Sequence, residues 1–253
     1  MKKILIVCGA LLMPFFLKAQ EYKVSKNSGR LEVHLGRATI EGYNGSEIVF
    51  SSTDYKGTKD KRAEGLKAIN GLGLDDNTGL GINVAENSNA VVVRQLQRTN
   101  SPNIKILVPK GVIVSFEHDS QYGGKVVFMN MENEIEVAAQ YNNVELKNVT
   151  GPMIVKSIYG HVEADFNTTI KSPISIISVY GYVDIALPGD TKANLKMDTS
   201  YGEIFVAPEL KLDMNNAGNM VRYSDRIQGK LNGGGTLNID LSSNYGKIYL
   251  RKK

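Results

Sequence analysis

A tyrosine-glycine pair leading into an alternating strand recurs every 21 residues in this chain: SIYGHVEADF at 157–166, SVYGYVDIAL at 178–187 and TSYGEIFVAP at 199–208. The register extends through Tyr141, Tyr159, Tyr180, Tyr201, Tyr223 and Tyr245, at spacings of 18, 21, 21, 22 and 22, with Tyr122 a further 19 residues upstream. A fixed period near 20 marks a stack of units, each burying its apolar face only against its neighbours. Within a unit the apolar residues alternate, which is the period of a strand. After the pair, Val162 and Ala164, Val183 and Ile185, Ile204 and Val206, and Ile248 and Leu250 fall into two columns. Before it, Met153 and Val155 align with Ile174 and Ile176 and with Leu195 and Met197. Each coil is therefore expected to be two strands bent at Tyr-Gly, where glycine supplies backbone angles closed to other residues. Parallel stacking of such coils predicts an all-β solenoid with coils of about 21 residues. Val183 should then lie beside Val162 on one side and Ile204 on the other, each about 4.8 Å away.

Residues 22–108 are less regular. Alternating pieces such as RLEVHL, RATIEG, SEIVF, AVVVRQL and NIKILVP are separated by turns and by the polar run STDYKGTKDKRAEG, and read as further coils with longer loops. An outer-membrane barrel is the rival, but its strands need about 9–11 residues and aromatic girdles. The strands here are shorter, and the chain ends in the charged YLRKK.

The opening MKKILIVCGALLMPFFLKAQ has two lysines, an apolar run from Ile4 to Leu17 and the small residue Ala19 at a cleavable position. It reads as a secretory signal, because the apolar run is short of the roughly 20 residues that span a bilayer. Val7 before Cys8 argues against a lipoprotein signal. Cleavage is expected after Ala19 or Gln20, giving residues 1–19 as signal and 20–253 as one domain, irregular over 20–108 and regular over 109–253. The full chain has 30 basic and 26 acidic side chains, but Lys2, Lys3 and Lys18 leave with the signal, so 27 face 26. A nearly neutral chain has no electrostatic footprint for nucleic acid. Cys8, the one cysteine, leaves as well, and with it disulfide and thiol chemistry.

The YG-x-V/I strands, the LPGD before Thr191 and the upstream GLKAINGLGLDDNTGLGINV resemble the putative-adhesin β-strand-repeat family of exported bacterial envelope proteins, over roughly Tyr22 to the C-terminus. That resemblance implies a single-stranded parallel β-helix. It carries over no catalytic residues.

Two columns are candidate sites. The tyrosines, Tyr159, Tyr180 and Tyr201 above all, either form an exposed platform for a flat ligand such as a sugar ring or stack on one another and hold coil register. Four residues past three of the tyrosines stand Glu145, Glu163 and Asp184, with Asn143, His161 and Tyr182 two positions earlier. In register, three carboxylates would share an outward face, where crowding raises a pKa or recruits a cation. The same column continues Phe205 and Tyr249, and solvent-facing strand positions are ordinarily charged, so a solvated face paired with lysines is the competing account. His34, His118 and His161 have no ligand-spaced partners for zinc. The letters HDS at 118–120 alternate across a strand and cannot align as a triad. GKLNGGGT and GLGLDDNTGLG read as turns, since neither feeds a helix. Ser157, Ser178, Thr199 and Ser243, two residues before the tyrosines, form a column of small hydroxyls able to bond along the stack.

Together these features predict a non-enzymatic, cofactor-free envelope module, exported to the periplasm, cell surface or medium, that binds glycan or an envelope protein or serves structurally. The alternatives are a polysaccharide-active enzyme using Glu145, Glu163 and Asp184 with His161, and an envelope accessory recognised by a protein partner.

Overall fold

The computed structural model describes residues 20–52, 61–166, 170–171, 173–214 and 225–253. The signal-peptide reading of residues 1–19 and Tyr223 fall outside these. The N-terminal half holds β1 (Gln20–Val24), β2 (Gly29–His34), β3 (Ala38–Tyr43), β4 (Ile48–Ser52), a three-residue 3-10 turn at Lys61–Ala63, β5 (Ile82–Glu86), β6 (Ala90–Gln95), β7 (Ile104–Pro109), β8 (Val112–His118) and β9 (Lys125–Met129). The Tyr-Gly half continues with β10 (Ile135–Ala139), β11 (Asn143–Lys147), β12 (Met153–Ser157), β13 (Val162–Asp165), β14 (Ile174–Ser178) and β15 (Val183–Leu187). It ends with β16 (Ala193–Thr199), β17 (Ile204–Val206), β18 (Leu212–Met214), β19 (Asp225–Leu231), β20 (Leu237–Ser243) and β21 (Ile248–Lys252).

Alternation makes these strands and decides what they bury. In β12, Met153, Val155 and Ser157 are buried while Ile154 and Lys156 face outward. The chain is all-β, in two sheets: a ten-stranded sheet β1-β4-β7-β3-β9-β11-β13-β15-β21-β17 and an eleven-stranded sheet β18-β19-β16-β20-β14-β12-β10-β8-β2-β6-β5. Each Tyr-Gly coil gives its first strand to the larger sheet and its second to the smaller, with the pair at the corner between them. The inward residues of both sheets share one hydrophobic cluster running from Val24 to Leu250. Among the described residues, no helix is long and apolar enough to cross a membrane.

The expected coil order holds on one side of β15 and fails on the other. Val183 pairs with Val162 in a parallel ladder, but its second neighbour is Ile248, and Ile204 stands one strand further out. In the larger sheet Ile239 likewise comes between Ile174 and Leu195. The coil of β20 and β21 is thus inserted between that of β14 and β15 and that of β16 and β17. At the other end the coil of β2 and β3 sits between β8 with β9 and β6 with β7. The cause is chemical equivalence. Ile248 and Leu250 offer the same columns as Ile204 and Val206, so alternation cannot rank the two as neighbours of Val183.

The sheets are mixed rather than purely parallel. β19 lies antiparallel on β16 and β18 on β19 at one end of the larger sheet, and β5 lies antiparallel on β6 at its other end. In the smaller sheet β4 lies antiparallel on β7 and β1 on β4. Such returns terminate a stack, which otherwise offers open edges to other chains.

The Tyr-Gly glycines serve a purpose other than the one expected. Gly160, Gly181, Gly202 and Gly246 have φ outside the left-handed region, so unusual backbone angles do not explain them. Close approach does. A Cβ on Gly181 would stand 2.7 Å from the carbonyl carbon of Gly160 and 2.9 Å from the His161 nitrogen, and closer still to the Gly160 oxygen. Left-handed positions lie elsewhere, as at Asn130 and Asn148 past β9 and β11, where the Asn148 amide donates to Asn130 Oδ1 at 2.9 Å.

Candidate binding face along the tyrosine corner

Successive coils are locked together at the corner by the main chain. Tyr159 donates its N–H to Gln140 O at 2.7 Å, Tyr180 to Ile158 O at 2.8 Å, Tyr245 to Val179 O at 2.9 Å and Tyr201 to Asn244 O at 2.9 Å. Side chains at this position therefore stand one above another, in the order Tyr141, Tyr159, Tyr180, Tyr245, Tyr201. Ring centroids are 4.8, 5.0, 4.9 and 5.1 Å apart and ring planes differ by 15° or less. Sequence spacing put Tyr201 next to Tyr180; the inserted C-terminal coil puts Tyr245 there instead.

The five rings are 39 to 65 % exposed, so the row faces outward. Their faces are turned to one another, and solvent meets ring edges and phenol hydroxyls. Open ring faces for a sugar to lie on are not what this row offers along its length. Stacking contributes about 0.5–1.5 kcal/mol per pair and holds coil register.

Beneath the row, the small hydroxyls tie each coil to the one before it. Ser157 Oγ donates to Asn142 O at 2.9 Å, Ser178 Oγ to Gly160 O at 2.9 Å, Ser243 Oγ to Gly181 O at 2.8 Å and Thr199 Oγ1 to Gly246 O at 3.2 Å. The same oxygens accept from their own corner, as Gly160 N–H to Ser157 and Gly246 N–H to Ser243. All four are fully buried, so these bonds satisfy main-chain groups that water cannot reach.

The acidic column is real in register, and each carboxylate has its own partner. Glu145, Glu163 and Asp184 occupy adjacent positions, followed by Tyr249 and then Phe205. Glu145 lies 2.6 Å from Lys147 Nζ and 3.1 Å from Lys125 Nζ. The Lys147 hydrogen bond, reinforced by Lys125, holds its carboxyl below the usual range, against burial that pushes the other way. This is the reverse of the rise that crowding would cause. Glu163 Oε1 accepts a 2.6 Å hydrogen bond from the Tyr182 hydroxyl and lies 3.9 Å from His161 Nε2. Burial, with Glu163 adding to it, pushes the Tyr182 phenol up to about 12. Asp184 takes a bidentate pair from Arg251, at 2.6 Å to Nε and 2.8 Å to Nη2.

His161 stacks on Tyr182 with centroids 4.5 Å apart, and Phe205 stacks on Tyr249 at 5.4 Å, under the Lys247 and Arg251 cations. The outcome is a face on which Glu145 and Asp184 are paired with cations and Glu163 with the Tyr182 hydroxyl. Among the described residues, no group of three or more His, Cys, Asp or Glu is placed to hold a metal ion.

Arg251 completes this face with Tyr182 and Tyr245, and it was not singled out by spacing. Tyr182 stood in the column two past the tyrosines; nothing in the sequence linked Arg251 to Asp184, because that pair depends on the inserted coil. His118, set aside as a triad member, is buried with Nδ1 2.9 Å from Asn142 Oδ1. Asn142 spends its amide hydrogens on Gly36 O and Gly124 O, so its oxygen accepts and His118 donates through Nδ1. This is scaffolding under the corner. The glycine-rich stretches are turns: the Asp76 carboxylate accepts from the N–H groups of Thr78, Gly79 and Gly81, and Gly73, Gly79, Gly81, Gly233 and Gly234 have positive φ.

Residues 128–251 match the Toastrack DUF4097 family model, a span of the chain from β9 to β21. This agrees with the adhesin-like strand-repeat family to which the Tyr-Gly strands are similar. No curated protein matches the chain in sequence. Among solved structures, one described as a putative cell adhesion protein from Clostridium sporogenes is similar at 12 % identity and a TM-score of 0.49, over 93 % of this chain and 100 % of that one.

Proposed function

From a chain whose residues 128–251 carry the Toastrack match, we propose a non-enzymatic, exported module of the bacterial envelope that acts by binding or as a structural element. The observation that supports this most directly is the acidic column. Glu145, Glu163 and Asp184 leave adjacent strands of one sheet in the same direction, each engaged by a separate partner. Glycoside hydrolysis needs two carboxyl groups that flank the bond from opposite sides. A lyase needs a free base beside a cation.

Purified protein is expected to release no reducing-end or unsaturated products from polysaccharides, with or without calcium. Products that vanish in Glu163→Gln/Asp184→Asn would establish the enzyme instead, since loss of an acid or base costs on the order of 100-fold to 10,000-fold in rate. The same double substitution is expected to lower stability by about 1 kcal/mol, through weakened partly exposed pairs with Arg251 and Tyr182. Relief of crowding would have raised it.

Export has its own test. Mass spectrometry of the protein from fractionated cells should find an N-terminus at Gln20 or Glu21; an intact Met1 would overturn that part of the proposal.

A further inference from the structure

We infer that the tyrosine row is a docking rail for an extended β-1,4-linked glycan, laid along the stack axis with one sugar per coil. The inference rests on the reading of the protein as a binding module and names its ligand class. Its first support is period. The rungs are 4.8 to 5.1 Å apart over five rings. A β-1,4-linked glycan in its extended two-fold form advances by one sugar in nearly the same distance as one strand spacing of about 4.8 Å. Rung and sugar therefore stay in step across the row. An α-1,4-linked chain coils and loses step within a few units.

The second support is the chemistry the row presents. Among the described residues, the phenol oxygens of Tyr141, Tyr159, Tyr180 and Tyr245 make no hydrogen bond, and each can donate one and accept others. Ring edges carry the positive lobe of the aromatic quadrupole, so they favour sugar oxygens. Mutual stacking holds every ring in place before a ligand arrives, which lowers the entropy lost on binding.

The third support is what the surroundings disfavour. The cations nearby are already matched, Lys125 and Lys147 with Glu145, Arg251 with Asp184 and Lys247 with Glu203, while Glu163 is held by a hydroxyl and keeps its negative charge, so the rail suits an uncharged polymer better than a polyanion. A peptide adding itself as a strand needs an open main-chain edge, whereas the tyrosine N–H groups are spent between coils.

The test is calorimetric titration of the purified protein with cellohexaose, chitohexaose, maltohexaose and the corresponding β-linked trisaccharides. At least one β-linked hexaose should bind at least 10-fold more tightly than its trisaccharide and than maltohexaose; the two β-linked series tell which substituent at carbon 2 is accepted. Tyr159→Phe/Tyr180→Phe keeps the stack and removes two hydroxyls. It should retain the wild-type Tm and lose about 10-fold in affinity, two hydrogen bonds of ordinary strength. No binding of either β-linked hexaose, equal binding of maltohexaose, or unchanged affinity in the double Phe variant would each overturn the rail. Cleavage of the hexaoses would instead overturn the non-enzymatic reading, so the two failures are distinct.

Discussion

Replacing Gly181 by alanine is expected to destabilise the protein by about 3 kcal/mol, at the upper end of what overpacking a core costs. One methyl group does this because its place is taken by main chain. The added Cβ would lie 2.7 Å from the Gly160 carbonyl carbon and 2.9 Å from the His161 nitrogen. Neither atom can swing aside as a side-chain end would. Tyr180 N–H to Ile158 O and Val183 N–H to Lys247 O bind this corner to coils on both sides, and β13 and β15 pair in register directly after it. The clash must therefore push two coils apart or break those bonds. For a domain of this size the loss corresponds to a fall in Tm of roughly 6–12 °C. Gly71→Ala is the control, since nothing lies within 4 Å of a Cβ there and φ is not left-handed. A thermal melt in which the two variants behave alike would show that the corner yields more easily than its packing implies.

Ser178→Leu should leave little soluble protein. Ser178 is fully buried, and its hydroxyl donates to Gly160 O at 2.9 Å. Leucine removes that donor, leaving a buried carbonyl unpaired at a cost of about 1–3 kcal/mol. It also forces two more heavy atoms between Ser157 and Ser243, its neighbours in the ladder, which adds about 1–3 kcal/mol. The sum approaches the roughly 5–15 kcal/mol that holds an ordinary domain folded. Two companions separate the causes. Ser178→Ala removes only the hydrogen bond and should cost about 1–3 kcal/mol in denaturant unfolding. Ser178→Thr keeps it and should cost under about 1 kcal/mol, because Thr199 already occupies the equivalent position two coils along the stack. If alanine proves as harmless as threonine, the hydroxyl ladder is not what joins these coils.

The candidate face was partly legible. The columns of Glu145, Glu163 and Asp184, and of Tyr141, Tyr159 and Tyr180, lie side by side as their spacing implied, because consecutive coils from β10 to β15 stack in chain order. The partners that settle the chemistry were not legible. Arg251 reaches Asp184, and Tyr245 enters the row beside Tyr180, only because β21 pairs with β15. The direction of the Glu145 shift also escaped, since it depends on Lys125 and Lys147 both lying within hydrogen-bond reach.

The strands, their inward residues and the corner at Tyr-Gly follow from local chemistry: alternation selects a strand and a buried face whatever lies on either side. Which coil stacks on which does not follow, because every coil presents the same two apolar columns, and Val183 meets Ile248 as readily as Ile204. That choice belongs to the whole molecule. Antiparallel β18 and β19 close one end of the larger sheet, and β5 that sheet's other end, while β4 and β1 close an end of the smaller one, so the coil of β2 and β3 and the coil of β20 and β21 are left to fill interior places. The glycines divide in the same way. Their position at the corner was readable from the repeat, but the reason for them, a neighbouring carbonyl where a Cβ would stand, exists only once the coils are stacked.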